Sequence, residues 1–164
     1  MSANKNRPHV LVFPEDDANR QVATGFQLGI ETTRQRQMQV LPVAGGWNEV
    51  LVRFRSDLVA DMIRYPDRHI VLLIDFDSQQ GRLEKARNEI PHELSERVFI
   101  LGIWSEPEGL KQEFGSYESI GLILAQDCRD ETEDNWTHPL LRHNANELAR
   151  LRDRVRPILF FISE

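Results

Sequence analysis

Three patterns alternate along the chain: short continuous apolar runs, stretches with apolar residues three and four apart, and polar breaks rich in Gly and Pro. The clearest run is Ile70-Val71-Leu72-Leu73-Ile74, five consecutive aliphatic residues that end at Asp75-Phe76-Asp77. Aliphatic residues without polar alternation predict a strand buried on both faces, as in a parallel sheet. Similar short runs at 9–13, 39–43 and 97–103 predict three more strands. The first stops at Pro14, which has no N–H for a sheet ladder.

Helical spacing fills the gaps. Val22, Phe26 and Ile30 predict a helix over 18–35, with Glu15, Asp16 and Asp17 near its positive end. After a Gly45-Gly46 turn, Trp47, Val50, Leu51, Phe54, Leu58, Met62 and Ile63 predict an amphipathic helix that ends at Pro66. A short helix is expected over 83–90. Ser105-Glu106-Pro107-Glu108 has the residues of a helix start: Ser at the cap, Pro in the first turn and Glu three residues on. An apolar helix is expected over 117–125 and an acidic loop over 127–135. Further helices should begin near Thr137-His138-Pro139 and near Asn144, the latter with Glu147 as capping partner. Pro157 should close that last helix, leaving 158–162 as an edge strand. Strands alternating with helices on short connections predict an α/β fold with a mainly parallel central sheet. No repeat or linker divides the chain. The expectation is a flexible start over 1–8 and a single domain over 9–164, with a helical C-terminal extension from about 116.

Composition narrows the classes. At 164 residues, with 40% hydrophobic and 28% charged content, the chain can bury one substantial core. Twenty basic against 26 acidic residues give a formal charge of −6, which argues against gripping nucleic acid over the whole surface. Cys128 is the one cysteine, so no internal disulfide forms; that usage fits a cytoplasmic protein. No apolar stretch nears the roughly 20 residues of a membrane span, and the polar start does not read as a secretory signal.

The candidate chemistry is acidic. In a parallel sheet the carboxyl ends of the strands open on one edge, where ligands collect. Glu15, Asp16 and Asp17 follow the first strand there, and Asp75 and Asp77 follow the third. Residues i and i+2 of an extended segment point the same way, so Asp75 and Asp77 are expected to converge. Carboxylates gathered in a dry site repel one another, and a hard divalent cation with oxygen ligands relieves that repulsion. The same acids also suit ordinary turns and helix caps. Glu106 and Glu108 begin a helix facing the same edge; they read as cap residues, with a site role open for Glu106. His138 and His143 are five apart and on different faces of a helix, which favours structural roles. Arg142, Arg150, Arg152, Arg154 and Arg156 crowd the last helix, either as a solvated face or as a strip for phosphates or an acidic partner. Cys128 has no nucleophile pattern around it and reads as structural.

Glu15 after the first strand, Gly45-Gly46 after the second and Asp75-Phe76-Asp77 after the third resemble a Toprim domain, the catalytic module of topoisomerases, DnaG-type primases and OLD-family nucleases. Trp104-Ser105-Glu106-Pro107-Glu108 is similar to an acidic motif of small stand-alone bacterial Toprim-like proteins. The resemblance spans about 10–110. It implies Mg²⁺- or Mn²⁺-dependent phosphodiester chemistry on nucleic acid. Asp75 and Asp77 would hold the metal, with Glu15 as general acid, general base or further ligand. It also implies a place in bacterial antiviral defence beside an ATPase partner. The family has Gly straight after its Glu; here Pro14 and Asp16 flank Glu15, so Asp16 and Asp17 stand beside Glu15 as the first-strand acid. A non-catalytic interaction subunit is the alternative. A further resemblance is to response-regulator receivers, in which an acidic pair and a phosphoacceptor Asp surround Mg²⁺. Ser105 matches their hydroxyl residue, but no strand followed by Lys appears.

Overall fold

In the computed structural model, which describes residues 2–160, the four apolar runs pair as an all-parallel sheet in the order β2-β1-β3-β4. The strands are β1 (His9–Pro14), β2 (Met38–Val40), β3 (Arg68–Leu73) and β4 (Val98–Leu101). Register is set by Val10 opposite Met38 and His69, and by Ile70 opposite Val98. Strands β1, β3 and β4 carry apolar residues on both faces because both are covered. Val10, Val12, Val71, Phe99 and Leu101 meet one layer, formed by α1 (Asp17–Leu28), α6 (Tyr117–Asp130), α7 (Ala145–Arg154) and α8 (Arg156–Leu159). Leu11, Phe13, Ile70, Leu72, Val98 and Ile100 meet the other, formed by α2 (Trp47–Arg53), α3 (Val59–Arg64) and α4 (Gln80–Asn88). Each such aliphatic side chain contributes roughly 1.5–3 kcal/mol by leaving water.

Alpha-helix α6 is not an appendage. It crosses α1 so closely that a Cβ on Gly121 would lie 1.9 Å from the Val22 carbonyl oxygen. A Cβ on Gly25 would lie 2.0 Å from that of Glu118. Gly29 faces Ala125 one turn further along the same crossing. Small residues four apart on both helices allow backbone contact, and they fix the start of α6 at the carboxyl edge of the sheet.

Several sequence expectations change. The helix expected over 18–35 ends at Leu28, where Gly29 caps it, and a separate 3₁₀ helix covers Thr32–Gln37. The helix expected after Gly46 is present with one widened turn, Phe54–Leu58, between α2 and α3. Ser105 does not cap: α5 (Glu108–Phe114) starts behind Pro107 with no side-chain cap bond. Helix α6 runs on to Asp130, into the expected loop, whereas residues 137–139 form turns rather than a helix start. Asn144 and Glu147 form no capping box, because Glu147 reaches Ile100 of β4 and Asn144 reaches Gly102 just after it. Ile158 and Leu159 belong to α8, with Pro157 in its first turn, not to an edge strand; positions 161 and 162 lie outside the described residues. Ahead of β1, Ala3 is buried and its N–H donates to the Gln39 side chain, while the Asn4 N–H donates to the Arg36 carbonyl. No helix among the described residues is long and apolar enough to cross a membrane.

Candidate functional site

Beyond its regular end, β3 stays paired to the segment after β4: the Ile74 N–H donates to Leu101 and the Phe76 N–H to Ile103. Gly102 permits this contact, because a Cβ there would lie 1.6 Å from the Ile74 oxygen. The extended alternation therefore persists through Phe76, which is buried, and turns Asp75 toward β1. At Asp77 and Ser78 the backbone enters the left-handed region, with φ of 49° and 56°. That kink breaks the i, i+2 relation on which the convergence of Asp75 and Asp77 rested. Asp77 is largely exposed and its carboxylate lies 3.6 Å from the Arg82 guanidinium.

Glu15 joins the two strand ends. Its N–H donates to the Leu73 carbonyl, and its carboxylate accepts the Asp75 N–H at 2.6 Å. The backbone N–H of Trp47, at the start of α2, also favours the charged form of this carboxylate. Gly45 makes that possible: its φ of 94° suits glycine, and its N–H donates to the Glu15 carbonyl, bringing the start of α2 over the site. Asp16 caps α1, accepting the Asn19 N–H at 2.9 Å. The Asn19 amide also donates to Asp16 at 3.0 Å and to Asp75 at 3.2 Å. One amide thus bridges acids from two strands. Asn19 is buried and its Oδ1 has no partner. The amide orientation is fixed by charge, since turning it over would set Oδ1 against two carboxylates.

The electrostatics reflect this crowding. The Asp75 carboxyl is pushed up to about 7, first by burial and then by the Asp16 carboxylate within hydrogen-bonding reach. Burial also raises Glu15, against the backbone N–H of Asp75, which favours its charged form.

The structure thus brings Glu15, Asp16 and Asp75 together and leaves the other candidates outside. Asp17 faces solvent, where Arg20 and Gln21 hold its carboxyl below the usual range. Glu106 is exposed on the connection before α5. His138 bonds Glu113 at 2.7 Å and accepts the Leu140 N–H. The His143 ring packs edge-on against Phe76 and beside Trp104, with neither ring nitrogen bonded to a side chain. Cys128 is buried and burial pushes its thiol up to about 11. Sequence reasoning missed Asn19, Arg82 and Tyr117. Arg82 donates to the Asp75 carbonyl at 2.8 Å, and the Tyr117 phenol feels the charges of Glu108, Asp16 and Asp75. Asn19 was signalled by its place three residues after the Asp16 cap.

Among the described residues no group of three or more His, Cys, Asp and Glu side chains is arranged to hold a metal by itself. The donor set nevertheless fits a hard cation that keeps water in its shell. Asp16 and Asp75 offer carboxylate oxygens from two strand ends, held together by the Asn19 amide, and Glu15 adjoins them. Mg²⁺ is commonly held by one or two carboxylates, with water and substrate completing the shell. A scan of protein-family models, a search of curated proteins and a search of solved structures each find no match to the chain.

Proposed function

We propose that the protein is a Mg²⁺- or Mn²⁺-dependent phosphodiesterase acting on nucleic acid, with a Toprim-like fold. The observation that carries this reading is the meeting of Asp16 and Asp75, bridged by the Asn19 amide, at the carboxyl edge of a parallel sheet. Asp16 and Asp75 would hold the cation. When bound, it would neutralise charge building on the non-bridging oxygens of a phosphodiester. Asn19 spaces the two ligands, and Glu15, raised by burial, accepts a proton at the free edge of its carboxylate. Asp77 is left out of the ligand set.

The test combines calorimetric titration of Mg²⁺ and Mn²⁺ with nicking of supercoiled DNA, run alone and beside a candidate ATPase partner. Asp75→Ala and Asp16→Ala should abolish cation binding and lower nicking by roughly 100-fold or more. Asp77→Ala should leave both within about twofold. Activity surviving Asp75→Ala and Glu15→Ala would sink this reading. Metal binding without activity under any partner condition would favour the non-catalytic interaction subunit.

One observation favours a receiver-like reading as second choice: Asp75 alone, rather than an Asp75–Asp77 pair, meets the acids after β1. Against it, no fifth strand follows β4 among the described residues, so none presents a Lys to the site. Beryllofluoride binding that requires Asp75 would raise it above the phosphodiesterase.

A further inference from the structure

Trp47 and Tyr117 pack on opposite faces of the sheet that carries the acidic centre, and each carries a cation on its ring. On one side the Arg82 guanidinium lies 4.9 Å and the Lys85 ammonium 5.0 Å from the Trp47 ring centre. Arg82 also grips the Asp75 carbonyl while its Nε has no partner, and the Gly45 N–H, two residues before Trp47, donates to the Glu15 carbonyl. On the other side the Lys111 ammonium lies 5.2 Å from the ring centre of Tyr117, the first residue of α6, which packs on α1 behind the Asp16 cap with Glu118 against Gly25 and Gly121 against Val22.

These cations differ from the arginines of the C-terminal helices. Arg150 bonds Glu147 and the Ser95 carbonyl, Arg152 the Thr132 carbonyl, and Arg156 the Arg129 carbonyl. Those guanidiniums pin the fold together. Lys85 and Lys111 rest on rings, the kind of contact a phosphate displaces readily, because a charge-assisted hydrogen bond outweighs a partly exposed cation–π contact. Once the cation moves to a phosphate, the ring face it covered is open to a base.

Building on the phosphodiesterase reading, we infer that Trp47 with Arg82 and Lys85, and Tyr117 with Lys111, form the two arms of a single-stranded nucleic-acid site across the acidic centre. A single strand presents what the arms match, phosphates alternating with exposed base faces. A duplex keeps its base faces stacked inside and offers phosphates alone. The net negative charge of the chain makes a divalent cation at the acids a condition of binding.

The experiment is fluorescence anisotropy of a labelled 12-nucleotide oligothymidylate and of a 12-base-pair duplex, in low salt with Ca²⁺ replacing Mg²⁺. The single strand should bind at least about 10-fold more tightly and quench tryptophan emission. Trp47→Ala should weaken binding about 5- to 50-fold. Trp47→Phe should retain most of the affinity but lose the quench. Lys85→Gln and Lys111→Gln, distant from the acids' own hydrogen bonds, should each weaken binding about 3- to 10-fold and flatten its salt dependence. Duplex binding as tight as single-strand binding would overturn the inference, as would affinities unchanged within twofold in Trp47→Ala and both lysine variants. Nicking in Mg²⁺ without single-strand preference sinks the inference and spares the phosphodiesterase. Strand binding without nicking does the reverse.

Discussion

Asp75 sits where folding and site formation conflict. Its carboxyl is withdrawn from water beside Asp16 and Glu15, which lifts its pKa from 3.8 to about 7. Between those values the folded chain keeps a proton that the unfolded chain gives up. Stability must therefore fall as pH rises through this window; the penalty is absent below the lower value and complete above the upper one. Discounted for partial solvent screening, it is on the order of 2 kcal/mol. Asp75→Asn removes the ionisation and keeps the shape. It should raise Tm by ~4–8 °C near pH 8 and by nothing measurable near pH 4, in parallel thermal melts. Millimolar Mg²⁺ should narrow the gap at pH 8 by stabilising the wild type alone. An equal gain at both pH values would show that Asp75 ionises normally in the folded chain.

Helices α1 and α6 set the elements around that site, and glycine decides how closely they approach. Gly121→Ala gains helix propensity of about 1 kcal/mol, yet its Cβ would meet backbone atoms of Val22 and Phe26. Backbone cannot rotate aside, so α6 must lift off α1. A net loss of about 2–3 kcal/mol is expected, read as a lower urea midpoint. Gly81→Ala in the first turn of α4 meets nothing within 4 Å and should instead gain about 0.5–1 kcal/mol. How much was legible in the sequence follows the same division between local and tertiary causes. The strands were legible because an aliphatic run such as Ile70–Ile74 has one comfortable setting, inside a covered sheet. Glu15, Asp16 and Asp75 were legible as a set because parallel strands bring their carboxyl ends together. Asp77 was misplaced because nothing in Asp-Phe-Asp announces a left-handed turn at its last residue. Asn144 and Glu147 looked like a cap because their spacing is the same whether the side chains turn back on the helix or out to a strand. Arg82 and Tyr117 were missed because only the packing of α4 and α6 brings them to the acids.

Across the whole molecule, the open side of β4 is where this fold has to solve a problem. A sheet ending at β4 exposes unpaired N–H and C=O groups, which invite pairing with another chain. Here three side chains three residues apart on one face of α7 and its approach take the place of a fifth strand. Asn144 accepts the Gly102 N–H at 3.1 Å and donates to the Gly102 carbonyl at 2.9 Å, as a peptide group would. The Glu147 carboxylate accepts the Ile100 N–H at 2.9 Å, and Arg150 donates to the Val98 carbonyl at 3.4 Å. Glu147 is buried, and its charge is balanced by Arg87 at 2.9 Å and Arg150 at 3.0 Å. Arg150 of the C-terminal basic strip is thereby committed to the edge of the sheet. Glu147→Ala would leave a buried N–H unpaired and two guanidiniums without their counter-charge, a loss of about 3 kcal/mol or more. Glu147→Gln keeps an oxygen for Ile100 and gives up only the charge, so about 1–2 kcal/mol is expected. The alanine variant should also associate through the uncovered strand, giving a concentration-dependent mass in light scattering after size exclusion, while the glutamine variant behaves as the wild type. If both variants lose stability equally, the contribution of Glu147 is its charge against Arg87 and Arg150, and β4 is protected by Asn144 alone.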